Sequence, residues 1–402
     1  MTALREGPAV MVRYGEIFLK SSPVHREFTG VLLRNCRLAL LSEGLATDAR
    51  VTRGRIFFYG DSPGMVADVL SRVFGIVDVA VCTVTAPDPD AVTRAAVALA
   101  ARSLGSGTRF AVRARREGVP GITSQDLAAR VGSAVLSAIP GAVVDLDNPD
   151  YEVHVELRAS GGVVYDRRIP APGGLPLGTQ GRVLVLLSAG IDSPVAAWLM
   201  MKRGCEVTAL HVSPGGPAGE ETVAGVLGLA SVLSEWCRGF PIRVIVVDAG
   251  PFYQRLVAGG NPRFRCILCK RFMVRLGSLL AMREGIPAIC TGENLGQVAS
   301  QTLQNLAVIS RAATVPLFRP LVAYDKQEIV ALGRKIGSFE RAKSTLSCPY
   351  VPPTPATVSD EGTIAALEEG FWGDALGEAL LSGAEEYVAL NGSVSRAGSR
   401  EG

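Results

Sequence analysis

The chain has 402 residues, of which 48% are hydrophobic and 20% are charged. This balance is typical of globular proteins and excludes a disordered or coiled-coil chain, and the length favours two or three domains. No apolar run approaches the roughly 18–20 residues of a membrane span, and the first residues do not form a secretory signal. We therefore predict a cytoplasmic protein with no membrane partner.

Charge is distributed unevenly along the chain. Residues 1–343 contain 39 Lys and Arg against 29 Asp and Glu, whereas residues 344–395 contain eight acidic residues and no Lys or Arg. A basic body favours a polyanionic partner, although an ordinary solvated surface explains the charge equally well. We expect residues 358–402 to be an acidic C-terminal tail, with a short acidic helix and a frayed Gly/Ser end.

Residues 1–80 alternate between strand and helix patterns. We predict a strand at 9–14, a helix at 24–42, a second helix opened by Pro63 and a strand in "IVDVAVCTV". Between the helices, "ARVTRGRIFFYG" fits either one strand or a hairpin broken near Gly54. A β-α-β-α-β order within about 80 residues predicts a ferredoxin-like α+β domain.

Residues 81–173 follow a Pro/Asp-rich break and form the second predicted domain. A helix is expected at 90–104, another begins at the capping box of Thr123 and Asp126, and two later strands meet at Gly161-Gly162. The strand "RFAVRAR" places alternate residues on one face. Its arginines and the one that follows are candidate phosphate contacts, or simply a solvated basic face: Arg109, Arg113, Arg115 and Arg116.

Residues 174–357 begin in a Pro/Gly-rich linker and then alternate strands with helices. The expected segments are 183–187, 194–203, 206–212, 223–238, 242–247, 265–284, 287–291, 295–310 and 325–336. This alternation predicts a doubly wound α/β domain with a parallel sheet, in which ligands bind at the carboxyl ends of the strands.

The turn "SAGIDS" at 188–193 lies at such a strand end. It fits a tight connection with Asp192 or Ser193 as the helix N-cap and Pro194 at the first helical position. It equally fits an anion cradle made of backbone N–H groups at a helix N-terminus. The turn alone leaves both interpretations open.

Of eight scattered cysteines, Cys266 and Cys269 form a C-x-x-C at the start of a basic helix. Their i, i+3 spacing puts both thiols on one helix face, and we expect the basic neighbours and the helix N-terminus to lower their pKa values. Core thiols, a redox pair and a metal site remain open for this pair.

Several motifs together resemble one family. The 188–193 turn is similar to the PP-loop of ATP pyrophosphatases. In order, "VLLSAGIDSPVAAWLMMKRG", "TGENLGQVASQTLQNLAVIS" and "PLFRPLVAYDKQEIVALGRKIG" resemble the tRNA 4-thiouridine synthetase (tRNA sulfurtransferase) family. "VRYGEIFLKS" resembles its ferredoxin-like domain, and "RFAVRARREGVPGITSQDLAARVGSAVL" its RNA-binding THUMP domain. The resemblance covers roughly residues 8–357.

The resemblance implies a reaction on tRNA. ATP, with Mg²⁺ near Asp192, would adenylate O4 of a uridine at tRNA position 8, and sulfur would then displace AMP. The implied pyrophosphate loop consists of Ser188, Gly190, the catalytic Asp192 and Ser193. The other implied nucleotide contacts are Leu186, Leu187, His211, Val212, Lys270, Gly292 and Gln301.

Two residues depart from the family pattern. Ala189 replaces a glycine, and an alanine would be strained if the backbone there had positive φ. Lys270 replaces a common arginine, and a lysine cannot donate in the bidentate manner of a guanidinium group. Without the family, His211 would be interpreted as a hydrogen-bonded residue at a strand end.

The resemblance also implies a role for Cys348, as the sulfur-handling catalytic residue. No cysteine follows it, so we expect the form that lacks a rhodanese domain, in which Cys266, Cys269 and Cys348 hold a [4Fe-4S] or [3Fe-4S] cluster. In a [4Fe-4S] cluster, three cysteines would leave one iron without a protein ligand, and this iron could bind sulfide. The alternative is a persulfide on Cys348 that the C-x-x-C resolves. The implied partners are tRNA, a sulfur donor (sulfide or a persulfide carrier) and a second subunit, since a homodimer would let one subunit present tRNA to the other.

Two other functions remain open at this point. One is a tRNA-binding protein whose loop has weakened at Ala189, and the other is sulfur transfer for thiazole synthesis in the thiamine pathway.

Overall fold

The computed structural model describes residues 3–52, 54–259, 261–342, 348, 350–369 and 374–398. The chain divides into two units, Met1–Leu175 and Pro176–Gly402. In the described ranges, no helix has both the length and the apolar character that a membrane crossing requires.

The first unit contains four helices and nine strands in its described part, together with a 3₁₀ turn at Glu16–Leu19. In chain order they are β1 Gly7–Tyr14, α1 Ser22–Leu41, β2 Asp48–Thr52, β3 Arg55–Tyr59, α2 Pro63–Leu70, β4 Ile76–Thr85, α3 Pro89–Ala100, β5 Arg109–Glu117, α4 Ser124–Ala138, β6 Val143–Val144, β7 Tyr151–Arg158, β8 Gly161–Tyr165 and β9 Ile169–Pro170.

These strands form one sheet with the order β2-β3-β1-β4-β8-β7-β5-β6, and β9 pairs with β4. The hairpin interpretation of "ARVTRGRIFFYG" is the correct one, since β2 and β3 pair antiparallel around Gly54, whose φ is 79°. The order is therefore β-α-β-β-α-β. Strand β4 belongs to both predicted domains of this unit, because it pairs with β1 on one side and with β8 on the other. The sheet therefore continues beyond residue 80.

The second unit contains α5 to α12 and β10 to β16 in its described part. Their bounds are β10 Arg182–Leu186, α5 Asp192–Lys202, β11 Glu206–Ser213, α6 Gly216–Ser234, β12 Ile242–Asp248, α7 Gly250–Gly259, α8 Arg265–Arg283, β13 Ile289–Cys290, α9 Leu303–Ser310, β14 Leu317–Phe318, α10 Lys326–Ile336, α11 Glu361–Glu368, α12 Asp374–Ser382, β15 Glu385–Leu390 and β16 Ser393–Arg396.

The sheet order is β14-β13-β10-β11-β12-β15-β16, and β10 to β14 are parallel. This confirms the predicted α/β fold with a parallel sheet. The strands β10, β11 and β12 are almost entirely buried, as expected for a parallel sheet covered on both faces. Their carboxyl ends lie at one edge of the sheet, where the candidate site is found.

One predicted helix of this unit has the wrong start, and one helix was missed. The helix expected at 295–310 begins only at Leu303, because Gly296 has φ 77° and Thr302 caps the helix through Asn305. The helix α7 was not predicted at all.

The C-terminal segment is also more ordered than predicted. Residues 361–368 and 374–382 are helical, and β15 and β16 form a hairpin that adds to the sheet beside β12 in antiparallel register. Glu386 of this hairpin pairs with Arg243 of β12, at 3.1 Å. The acidic composition did not indicate this strand, because the strand with which it pairs, β12, lies far away in the sequence.

Candidate nucleotide and sulfur site

The connection between β10 and α5 is held by two serines. Ser193 Oγ accepts a hydrogen bond from the Ser188 N–H at 2.9 Å and lies 3.0 Å from Ser188 Oγ. Helix α5 begins at Asp192 after Ile191, and no side chain caps it. The predictions of Asp192 or Ser193 as N-cap and of Pro194 as the first helical residue are therefore wrong. The N-terminal N–H groups of α5 lack a side-chain cap, which leaves them suited to an anion.

Ala189 carries no backbone strain in this turn. Among the described residues, Asn391 is the single non-glycine with positive φ, so Ala189 has an ordinary backbone conformation. Its side chain is buried. The expected cost of replacing the motif's glycine at this position therefore does not arise.

Gly292 follows β13 and passes directly against the start of α5. A Cβ atom at this position would lie 2.6 Å from Ser193 N and 2.7 Å from Ser193 Cα. These are backbone atoms, which cannot move aside without displacing the turn. A glycine is therefore required here by close approach, not by its φ angle.

Asp192 faces two polar side chains from distant parts of the chain. Lys326 Nζ, at the start of α10, lies 2.5 Å from Asp192 Oδ1, and Gln297 Nε2 donates to Oδ2 at 3.0 Å. Asp192 retains partial exposure to solvent. The carboxylate is thus held by one cation and one amide at the mouth of the turn.

Glu293 lies buried between two cations. Lys270 Nζ is 2.9 Å from Glu293 Oε1, and Arg319 Nε is 2.7 Å from Oε2. Burial opposes the charged carboxylate, but Lys270 and Arg319 outweigh it and lower the pKa of Glu293. Glu293 is therefore ionised and fixes the position of Lys270.

A cleft of about 220 Å³ opens at this edge of the sheet. It brings together eight of the predicted nucleotide-site residues: Leu186, Ser188, Gly190, Asp192, Ser193, Lys270, Gly292 and Gln301. Gln301 is buried, and its Oε1 accepts no hydrogen bond from any described residue. A buried acceptor without a donor carries an energetic cost that a ligand N–H group would remove.

Leu187, His211 and Val212 do not line this cleft. Instead, His211 Nδ1 donates to the Leu187 carbonyl oxygen at 3.0 Å, and Nε2 lies 3.1 Å from Thr222 Oγ1. Leu187 immediately precedes the serine turn. His211 therefore fixes the backbone at Leu187 without lining the cleft, and it acts on the turn as a positioning residue.

Burial lowers the pKa of His211 from 6.5 to about 4. Since the unfolded chain then binds a proton at a higher pH than the folded chain, the free energy of unfolding should fall as the pH drops below 6.5. The expected loss at pH 5 is about 2 kcal/mol. His211→Asn should unfold with a much flatter dependence between pH 7 and pH 5.

Tryptophan fluorescence isolates this effect. All three tryptophans and only one of the three histidines lie in residues 176–402. Urea unfolding followed at this signal should therefore report His211 without His25 or His154. Equal pH slopes for the wild type and for His211→Asn would contradict the assignment.

The three predicted sulfur ligands line a second cavity, of about 320 Å³. Cys266 and Cys269 contribute from the first turn of α8, and Cys348 contributes from an exposed turn. The i, i+3 pair therefore faces the same space, as predicted. In the described ranges, no three His, Cys, Asp or Glu side chains are gathered into a ready-made metal site.

The expectation that Cys266 and Cys269 have lowered pKa values is wrong. Burial raises the pKa of Cys266 against the smaller lowering effect of Lys270. Burial also raises the pKa of Cys269 to about 12, against the smaller lowering effects of a hydrogen bond with Tyr253 and of Lys270. Without a bound cation or electrophile, both groups are therefore thiols at neutral pH. The sequence displays the neighbouring charges but not the burial that outweighs them.

The two cavities adjoin one another. Lys270 and Met273, both on α8, line the nucleotide cleft and the cysteine cavity alike. Because Cys269 and Lys270 are consecutive, the same helical turn presents a thiol to one cavity and an ammonium group to both.

Several residues of the site were missed by sequence reasoning. They are Tyr253, Glu293, Gln297, Arg319 and Lys326. Four of them lay within quoted motifs, namely Glu293 and Gln297 in "TGENLGQ" and Arg319 and Lys326 in "PLFRPLVAYDKQEIV". For Glu293 and Arg319, a charged residue close to a strand end was the available signal. Nothing in the sequence indicated Tyr253.

The candidate arginines of the first unit differ in their surroundings. Arg109 Nη2 lies 2.7 Å from Asp150 Oδ1, and Arg113 Nε lies 2.7 Å from Glu152 Oε1. Arg115 is exposed and lines a cavity of about 550 Å³ with Arg113, and the backbone N–H of Arg116 donates to Ser124 Oγ. Acidic neighbours thus partly neutralise Arg109 and Arg113.

Comparison with known proteins identifies the family. Three family models match consecutive parts of the chain: a ThiI ferredoxin-like domain at 9–80, a THUMP domain at 86–165 and thiamine biosynthesis protein (ThiI) at 178–372. A probable tRNA sulfurtransferase of Methanothermobacter thermautotrophicus is 39% identical over 366 residues, which cover 90% of this chain and 92% of that protein. The chain belongs to the ThiI family of tRNA sulfurtransferases.

Other members of the ThiI family give the same result. A probable tRNA sulfurtransferase of Moorella thermoacetica is 39% identical and covers 90% of this chain and 93% of its own length. The crystal structure of a 4-thiouridine synthetase in complex with RNA and with bound ATP matches with a TM-score of 0.83 and 30% identity, covering 96% of this chain and all of that chain. The ThiI resemblance inferred from the motifs is confirmed.

Proposed function

We propose that this protein is an ATP-dependent tRNA sulfurtransferase that adenylates a tRNA uridine and then converts it to 4-thiouridine. The observation that carries the proposal is the pair of adjoining cavities, since Lys270 and Met273 line both the cleft at the 188–193 turn and the cavity of the three cysteines. An electrophile formed in the first cavity would lie beside a nucleophile in the second. The related 4-thiouridine synthetase, with its RNA and ATP, supports the same activity.

The nucleotide cleft supplies what adenylation needs. The uncapped start of α5 and the Ser188–Ser193 turn would bind the pyrophosphate portion of ATP through backbone N–H groups. Gln301 Oε1 would accept the hydrogen bond it lacks, for which the exocyclic amino group of adenine is a suitable donor. A uridine carbonyl oxygen becomes a leaving group only when it carries AMP, and the departing pyrophosphate is stabilised by the same helix terminus.

Asp192 is the residue that would hold Mg²⁺. The other carboxylate of the cleft, Glu293, is already neutralised by Lys270 and Arg319, whereas Asp192 has a single cation, Lys326. Mg²⁺ commonly binds one or two carboxylates together with substrate phosphates, so the donor set fits. The metal would neutralise phosphate charge, and Lys326 would then be available to the phosphates as a second cation.

The cysteine cavity would deliver the sulfur. The described residues that line it include three thiols and no carboxylate or imidazole, a donor set that suits an iron–sulfur cluster. Held by three cysteines, a [4Fe-4S] cluster would supply a site that can bind sulfide. The residues Cys266, Cys269 and Cys348 would hold it, and the apolar walls would exclude water. A persulfide on Cys348 is the competing route.

The first unit would bind tRNA. Its exposed arginines include Arg115 and Arg116, which are suited to phosphate contacts. A homodimer, in which one subunit presents tRNA to the other, remains part of the proposal.

The function is tested with purified protein, unmodified tRNA, ATP and sulfide under anaerobic conditions. Nucleoside analysis should show 4-thiouridine, and ATP–pyrophosphate exchange should require tRNA. Lys326→Met should lower the exchange rate about a hundredfold, because it removes the second cation that would stabilise the phosphate charge. Lys335→Met, an exposed change on the same helix, is the matched control. If sulfur transfer proceeds without tRNA, thiazole synthesis becomes the better assignment.

The sulfur route is tested by analysis for iron, sulfide and zinc after anaerobic purification. We expect iron and sulfide in near-equal amounts, and we expect both to be lost from Cys266→Ala, Cys269→Ala and Cys348→Ala. Cys290→Ala removes a buried thiol outside the cavity and should keep the metal. Metal-free wild type would favour the persulfide on Cys348, whereas zinc alone would make the cysteines structural.

A further inference from the structure

Tyr253, on α7, touches one of the helix thiols. Its side chain is almost fully buried, and its hydroxyl lies 3.4 Å from Cys269 Sγ. The hydroxyl hydrogen can point at the sulfur, which fixes the direction in which Cys269 faces. No step of the reaction described above uses Tyr253.

The ring of Tyr253 also contacts the turn that carries the third cysteine. Tyr253 and Tyr350 are stacked with their centroids 4.6 Å apart and their planes 15° apart. Tyr350 follows Cys348 by two residues, and the Val351 N–H donates to the Cys348 carbonyl oxygen at 3.3 Å. Cys348 and Tyr350 therefore belong to one turn, so the stack fixes this turn against α7.

The chain after this turn is anchored on the same side of the domain. The Ala356 N–H donates to the Arg263 carbonyl oxygen at 2.8 Å, just before α8, and Asn305 Nδ2 donates to the Ala356 carbonyl oxygen at 3.0 Å. These bonds limit how far the segment can move away from α8. Within that limit, the tyrosine stack holds the segment at Tyr350, two residues after Cys348.

We propose that Tyr253 is a positioning residue for sulfur transfer, which sets the distance between Cys348 and Cys269 through its hydroxyl on one side and its stack with Tyr350 on the other. This inference rests on the proposed function for its biological meaning. Its physical content is independent of that function, because it concerns the approach of two thiols. An iron–sulfur cluster and a persulfide route both need this approach, since each joins Cys348 to the C-x-x-C.

The distance between the thiols can be measured by chemical bridging. Full-length protein with Cys266→Ser leaves Cys269 as the helix thiol of the cavity. After chelation and reduction, dibromobimane is added, and peptide mass spectrometry gives the yield of the Cys348–Cys269 bridge. Single labelling of Cys348 with monobromobimane serves as the control for its accessibility.

Four variants separate the effect of the Tyr253–Tyr350 stack on the bridge yield from the effect of the Tyr253 hydroxyl. Tyr350→Ala and Tyr350→Leu remove the stack and should lower the bridge yield about tenfold. Tyr350→Phe keeps the ring and should match the parent protein. Tyr253→Phe keeps the stack but loses the hydroxyl, and should lower the yield about threefold. In every variant, Cys348 should still react with monobromobimane at least as fast as in the parent.

An unchanged bridge yield in Tyr350→Ala or Tyr350→Leu would overturn the proposal, even if tryptophan fluorescence shows a loss of stability. Equal losses in Tyr350→Phe and Tyr350→Leu would do so as well, because the stack would then not be responsible. Nucleoside analysis of the wild type tests the function separately. If 4-thiouridine is absent but the bridge pattern holds, the proposed function fails while the positioning role stands.

Discussion

Gly292→Ala is expected to lower ATP–pyrophosphate exchange by about a hundredfold while leaving the fold of both units intact. The added methyl group would meet Ser193 N at 2.6 Å and Asp192 C at 2.9 Å. To relieve this contact, β13 and the start of α5 must separate. The separation displaces the N–H groups that would bind pyrophosphate, and it shifts Asp192 away from Lys326.

The matched control is Gly228→Ala, the same chemical change on α6, where the new methyl group meets no atom within 4 Å. This variant should keep the exchange rate and gain about 1 kcal/mol of stability, because alanine is the better helix former. ATP binding, followed by calorimetry, separates the possible causes. If Gly292→Ala binds ATP as tightly as the wild type, the turn does not bind the pyrophosphate and the nucleotide site must be assigned elsewhere.

The position of the 188–193 turn could be predicted because it depends on local signals, whereas the other candidate nucleotide contacts came from the family resemblance. A short apolar run followed by "SAGIDS" places the turn at a strand end, and eight of the predicted nucleotide-site residues line one cleft. The role of Gly292 as a close-approach glycine could not be predicted in the same way. It depends on the backbone of Ser193, about a hundred residues earlier in the chain.

The errors came from properties that local sequence does not contain. The charges beside Cys266 and Cys269 were correctly noted, but the burial that raises the pKa of both thiols arises from the packing of other elements. The acidic C-terminal segment was expected to be a short helix with a frayed end. Its hairpin forms because β12 offers an open edge to β15, and pairing between strands so far apart leaves no local pattern.

The same acidic segment forms a buried ion network with the helix that carries the C-x-x-C. Arg271, on α8, is 1% exposed and binds Glu368 of α11 through two hydrogen bonds of 2.8 Å. Its Nη1 also lies 2.9 Å from Glu361. Burial opposes the charge on the guanidinium, but Glu368 and Glu361 outweigh it and raise the pKa of Arg271. The network therefore holds α11 against α8 at a position two residues beyond Cys269.

Glu368→Ala is expected to lower the free energy of unfolding of the second unit by about 3–5 kcal/mol, because it leaves Arg271 charged and buried with an incomplete partner set. Urea unfolding measures this, followed by the tryptophans, all of which lie in this unit. Glu369→Ala, an exposed change at the next position, is the control and should stay within about 0.5 kcal/mol of the wild type.

The double variant Arg271→Met with Glu368→Leu decides why Glu368→Ala is costly. A buried ion pair can be replaced by apolar side chains at little cost, whereas breaking it from one side is expensive. The double variant should therefore recover most of the stability that Glu368→Ala loses. If it is as unstable as the single variant, the network contributes through its specific hydrogen bonds, and α11 needs Arg271 itself in order to pack against the helix that carries Cys266 and Cys269.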